Sequence, residues 1–186
     1  MTAALPAAPE SSGPDNPDKP SEGGSWLGRL FGSSGAPGRS QAGGGVAVYD
    51  ISAAKVYMPD GSTLEAHSGV GRMADDPRYV NVKMAGPTPP QTYVLKMRET
   101  RFHGVEAIRM LPVDGKNLYG RGGFLTHSYL LRGRRGQSHG CVAFADYERF
   151  LKAFKSGKIK KMVVVAGGGR SAVRMAKNGE SVVASR

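Results

Sequence analysis

The chain has 186 residues, enough for one domain with tails, and carries 26 Lys and Arg against 15 Asp and Glu for a formal net charge of +11. Its one cysteine excludes an internal disulfide, so the fold must rest on packing alone. No apolar run is long enough to span a bilayer as a helix, and a surface this basic suits anionic partners such as nucleic acid, anionic lipid or cell-wall polymer.

Residues 1–45 are rich in Pro, Gly, Ser and Ala and read as a disordered leader, because such a stretch buries too little surface to offset its ordering entropy. The opening "MTAALPAAPESSGPDNPDKP" lacks a basic start followed by an apolar stretch, so it does not read as a secretory signal peptide. Within it "SWLGRLFG" at 25–32 groups Trp26, Leu27, Leu30 and Phe31, too few residues for a stable isolated helix. From Val46 the character changes. "VAVYDI" and "AKVYM" are β-branched and aromatic, and "PDGS" at 59–62 is a turn leading into "TLEAHS", which predicts a hairpin. Residues 68–90 form a long Gly-, Pro- and charge-rich connection, expected to be functional or mobile.

"QTYVLKM" (91–97), "VEAIRML" (105–111) and "FLTHSYLL" (124–131) are the next strand candidates. In "ADYERFLKAFKSG" the period switches, with Tyr147, Phe150, Leu151 and Phe154 on one helical face, Asp146 as N-cap and Gly157 as stop. "IKKMVVVA" (159–166) returns to strand, and 167–186 reads as a basic flexible tail. The ordered part, 46–166, is expected to be mainly β, a curved sheet or a small sandwich or barrel with one amphipathic helix.

The lone thiol sits in "GRRGQSHGCVAF" at 133–144, behind a polar, glycine-bearing loop. A thiol buried for packing more often lies within an apolar run. Arg132, Arg134, Arg135 and His139 surround Cys141 in sequence, and positive neighbours lower a thiol pKa, so Cys141 is expected to be a low-pKa nucleophile. Such a nucleophile needs a base, and a neutral imidazole is the usual one. His127 is the first choice, since its predicted strand feeds the loop returning to Cys141; His103 and His139 are the other candidates. Gly136 and Gly140 permit tight turns, and the peptide N–H groups of Gly140 and Cys141 are candidates for an oxyanion hole.

"SHGCV" at 138–142, with an upstream histidine on a strand, resembles the L,D-transpeptidase catalytic domain. "SGVGR" (68–72) and "GPTPPQTYVL" (86–95) are similar to further segments of that family. The likeness spans roughly 46–166. It departs at Ala143, where many members carry arginine, and at Ser128, where many carry glycine. The variant pattern is closest in look to the type VI secretion effector branch.

The resemblance implies cysteine-dependent acyl transfer on peptidoglycan tetrapeptide stems, as transpeptidation, D-amino acid exchange or carboxypeptidase action. It implies Ser138 as an orienting residue, with His139, Arg132, Arg134 and Arg135 as candidates for substrate binding in place of the missing arginine. It further implies synthesis in the cytoplasm, action in a periplasm, and a secretion apparatus and an immunity protein as partners, with no cofactor or metal required. Two rivals stand beside it. A zinc hydrolase would use His127, His139 and Cys141, but a His-x-Cys pair is tighter than usual ligand spacing. A non-enzymatic basic module for cell wall or nucleic acid would use Arg132, Arg134 and Arg135; no nucleic-acid-binding motif is present, so nucleic acid is not expected as a partner.

Overall fold

The computed structural model describes residues 45–130 and 136–177. The leader, Arg132, Arg134 and Arg135 of the cysteine-bearing loop, and the end of the tail lie outside them. Eight strands form a closed barrel: β1 (Gly45–Asp50), β2 (Lys55–Tyr57), β3 (Thr63–His67), β4 (Thr92–Met97), β5 (Ile108–Pro112), β6 (Leu125–Ser128), β7 (Val142–Phe144) and β8 (Ile159–Val165). Their order around the barrel is β1-β2-β3-β7-β6-β5-β4-β8, and β8 closes on β1 in parallel. Closure leaves no open strand edge. The expected mainly β fold is therefore a barrel rather than a sandwich.

Strand alternation sorts the core. Ala47, Tyr49 and Ile51 point inward to meet Tyr93, Ile108, Met110, Phe144 and Met162, all essentially inaccessible. The opposite face of β1 is also apolar, with Val48 against Val163 and Val165 of β8. A strand apolar on both faces needs a second cover, and helix α2 (Gly169–Lys177) supplies it through Ala172 and Val173. This corrects the sequence reading of 167–186 as a flexible tail: to Lys177 it is a docked helix. Its first turn is fixed by Asp50, which is 3% exposed and accepts from the Gly169 N–H at 2.7 Å. The other Asp50 oxygen accepts from Ser52 Oγ and Ala53 N, each at 3.0 Å.

Helix α1 (Tyr147–Lys155) follows the expected pattern, with the Asp146 carboxylate accepting from Arg149 N at 3.2 Å. Such a cap contributes about 1 kcal/mol. Gly157 takes a φ of 74°, a left-handed turn that ends the helix. The buried face of α1 packs Phe150 on Phe144 with ring centroids 4.4 Å apart. The Tyr147 hydroxyl donates to the Thr126 carbonyl at 2.9 Å, so α1 also pins β6.

Replacing Asp50 by Ala should leave the Gly169 N–H without its buried partner, costing about 1–3 kcal/mol. A lower midpoint in urea unfolding and faster proteolysis within Gly169–Lys177 are the expected results; unchanged protection of α2 would show that the carboxylate does not hold it.

Candidate active site

Strands β6 and β7 pair in parallel, with Thr126 opposite Val142, His127 opposite Ala143 and Ser128 opposite Phe144. Thr126, Val142 and Phe144 are fully buried on the barrel side. By alternation His127, Ala143 and Cys141 share the other face, and Cys141 lies on a diagonal from His127. Both line a cavity of about 340 Å3, together with Val70, Phe102, His103, Ser138 and His139. The chain turns from an unpaired loop into β7 at the sulfur itself. The three-residue strand Val142–Phe144 was not anticipated from the sequence, which left Cys141 as a loop residue.

His127 Nδ1 lies 2.7 Å from the carbonyl of Ser128. A carbonyl only accepts, so Nδ1 carries the proton and Nε2 keeps its lone pair. Burial pushes the imidazole below its ordinary pKa and the charge of nearby His103 acts the same way, while the Ser128 carbonyl opposes them. The ring is thus a neutral acceptor near pH 7, and Phe102 covers it at 5.3 Å between centroids.

The thiol departs from expectation. Burial pushes Cys141 above its ordinary range, although a hydrogen bond to the Leu125 backbone and the charge of Arg121 pull the other way. Cys141 as a residue is half-buried and open to the cavity, but its sulfur is packed densely enough for desolvation to dominate. The resting pair is therefore a thiol beside a neutral imidazole. Of the basic residues expected to lower the thiol, His139 is exposed on the cavity rim, and Arg132, Arg134 and Arg135 lie outside the described residues.

The sequence analysis did not single out Arg121, which lies between glycines in "GRGGF". It is 5% exposed, and its guanidinium donates to the Val80, Pro87 and Gly86 carbonyls at 2.5, 2.6 and 2.8 Å. Three backbone acceptors fix it as a clamp on the 80–87 segment, with its charge left under the thiol. Gly140 has a φ of 116°, and a Cβ there would come within 2.5 Å of Arg121 Nη2. Only glycine meets both demands.

The loop ahead of Cys141 is tied down at each turn. Ser138 Oγ donates to the Cys141 carbonyl at 2.5 Å and accepts from Gly140 N at 3.3 Å. Ser138 thus holds the loop rather than the base, and the Gly140 N–H is engaged, which leaves that of Cys141 as the stronger oxyanion candidate. The Ser138 N–H donates to Gly69 O at 3.0 Å. Beneath it runs a buried relay: Thr88 N donates to Ser68 Oγ at 2.9 Å, Ser68 Oγ lies 3.1 Å from Thr88 Oγ1, and Thr88 Oγ1 donates to the Gly140 carbonyl at 2.6 Å. The 68–90 connection, expected to be functional or mobile, is a packed brace with short 3-10 turns at Gly71–Met73 and Pro77–Tyr79.

His67 on β3 lies opposite Ala143, completing a row His67–Ala143–His127 across three strands. Its Nδ1 lies 2.5 Å from Asp75 Oδ2. Burial alone would lower His67, but the hydrogen bond and charge of Asp75, aided by Glu65, hold it above its ordinary range. A Cβ at Gly136 would approach the His67 side chain to 2.6 Å, so this imidazole packs directly under the loop leading to the thiol. No cluster of three or more His, Cys, Asp or Glu side chains suited to a metal occurs among the described residues. No described helix is long and apolar enough to cross a membrane.

The barrel thus carries a histidine and a cysteine on one face of a parallel strand pair, both open to one cavity. A family profile for the Tlde1 domain, the L,D-transpeptidase family of type VI effectors, matches residues 62–168, more than half of the chain. The chain belongs to that family. Among solved structures, the L,D-transpeptidase from Xylanimonas cellulosilytica is similar at 16% identity and a TM-score of 0.42, over 67% of this chain and 62% of that one. No match is found among curated protein sequences.

Two titrations check the resting state. Alkylation of Cys141 by iodoacetamide should be slow at pH 7 and rise with a midpoint above pH 9.0. The His127 imidazole should protonate with a midpoint below pH 6.5, and His67 with one above it, in NMR spectra of the labelled rings. Fast alkylation at neutral pH would mean a preformed thiolate–imidazolium pair instead.

Proposed function

We propose that this chain catalyses acyl transfer on peptidoglycan tetrapeptide stems through a Cys141 thioester. The observation that supports it most directly is the placement of His127 and Cys141 on one face and in one cavity, with Nε2 as the free acceptor. Nε2 takes the thiol proton as Sγ attacks the carbonyl at the L-centre of meso-diaminopimelate. Because the thiol is protonated at rest, proton removal and attack are coupled. The tetrahedral oxyanion is met by the Cys141 N–H, and such donors are worth several kcal/mol in a water-poor site. Collapse forms the thioester and breaks the bond to the terminal D-alanine, whose nitrogen takes the proton back from Nε2. Water or an amine, with His127 again as base, then opens the thioester and restores the thiol.

Arg121 supplies a fixed positive charge beneath the sulfur as negative charge develops there. Its three donors to carbonyls make it a support for the site and not a carboxylate receptor. His103 and His139 line the cavity and are the candidates in this reading for contact with the stem; Arg132, Arg134 and Arg135 stay candidates for the substrate carboxylate. The same reading extends to delivery by a type VI apparatus into a target periplasm and to a protecting immunity protein.

Cys141→Ala is expected to abolish product formation from purified sacculi, and His127→Ala to lower kcat/KM by about two to four powers of ten. The pH profile should hold from neutrality down to an acid limb below pH 6.5, where the depressed His127 protonates and the base is lost. Mass spectrometry of the muropeptides reads which acceptor resolves the thioester. Turnover by Cys141→Ala would end the proposal; loss in His103→Ala but not in His127→Ala would move the base. Toxicity on periplasmic expression that vanishes in Cys141→Ala tests the effector role.

A further inference from the structure

A second groove, of about 710 Å3, shares no lining residue with the thiol cavity. Arg78, Asn81, Gln91, Asp114, Leu118 and Tyr119 line it, drawn from the 68–90 brace, the start of β4 and the turn after β5. Two features there are unusual for a surface with no task. Tyr119 is 53% exposed and sits in the left-handed region at φ 58° and ψ 21°, a conformation that disfavours a bulky side chain. An aromatic ring held outward at a backbone cost presents a flat apolar face to the groove. Gln91 is the second feature. Its amide is shielded from solvent and its nitrogen interacts with the Tyr93 hydroxyl, which leaves the amide oxygen without a partner among the described residues. The neighbouring Tyr93 hydroxyl donates to the Pro89 carbonyl at 2.9 Å. Buried amide oxygens are almost always paired, so this one is available to a donor on a ligand in the groove that Gln91 lines.

The remaining charges narrow the ligand. Arg78 is held by Asp76 at 2.5 Å, and Asp114 adds a carboxylate, so the groove offers no surplus positive charge to a phosphate polymer. An aromatic face, two side-chain amides and one carboxylate suit a neutral, hydroxyl-rich molecule with amide groups. We infer that this groove binds the N-acetylated glycan strand of peptidoglycan, a subsite separate from the cavity that holds the thiol. The pyranose ring stacks on Tyr119, and Gln91 and Asn81 pair with its acetamido and hydroxyl groups. The 68–90 brace joins the two sites, since Val70 at one end lines the thiol cavity and Arg78 and Asn81 line the groove. The choice of glycan rests on the peptidoglycan reading above; a saccharide site as such does not.

The test uses the full chain carrying Cys141→Ala, which removes turnover from the measurement. Isothermal titration with glycan strands stripped of their stems by an amidase should show saturable binding. Adding Tyr119→Ala or Gln91→Ala should weaken it at least about tenfold, while Tyr119→Phe retains it. Tyr119→Gly, which suits the left-handed backbone, should also lose the glycan without lowering Tm, separating lost stacking from lost folding. Excess free tetrapeptide should not displace the strand. Absent binding, equal binding by Tyr119→Ala, or displacement by tetrapeptide each overturns the inference. Product analysis of sacculi treated with the enzyme bearing Cys141 judges the acyl-transfer reading separately.

Discussion

The parallel pairing of β6 with β7 is the constraint on which the site depends. Side chains in parallel strands alternate in step, so one register decides which residues of both strands share a face. With His127 opposite Ala143, the histidine and the cysteine fall together outside the barrel, while Thr126, Val142 and Phe144 fall inside. A slip by one residue would send the imidazole into the core. The register is held from within by Phe144 stacked on Phe150 and by Tyr147 bonded to Thr126. Helix α1 is thus as much a part of the site's geometry as the residues that line it.

The second support is the 68–90 segment. It carries the hydroxyl relay from Ser68 and Thr88 to the Gly140 carbonyl, and the carbonyls of Val80, Gly86 and Pro87 that hold Arg121. The loop before Cys141 is therefore clamped from below by hydroxyls and from the side by a guanidinium. A small residue at position 143 fits this arrangement, with Ala143 lying 1% exposed between His67 and His127 in the strand row. The buried guanidinium of this chain, Arg121, comes from another segment.

Much of the barrel could be read in the sequence because its strands are apolar, β-branched and bounded by turn residues. The hairpin around "PDGS", β4, β8 and α1 lie where the patterning placed them. Strand β7 was missed because three residues between a glycine and a helix cap show no period. Helix α2 was missed because its glycine-led start and basic residues resemble a tail; the signal was on β1, whose two apolar faces demanded a partner. The pairing of His127 with Cys141 in one cavity followed from a strand feeding a short loop, but the thiol's proton affinity did not. Local sequence counts arginines, whereas the thiol's proton affinity is set by the fold, here by burial that outweighs the Leu125 backbone hydrogen bond and the Arg121 charge. Arg121 itself, between glycines, gave no sign that three carbonyls would converge on it.

The neutral resting state of the pair bears on how the sulfur endures oxidants. Peroxide attacks thiolates far faster than thiols, so a sulfur held as the thiol at rest gives oxidants little to react with. The chain has no second cysteine to rescue a sulfenic acid as an internal disulfide. Burial that raises the Cys141 pKa therefore also favours the form of the sulfur that oxidants attack more slowly.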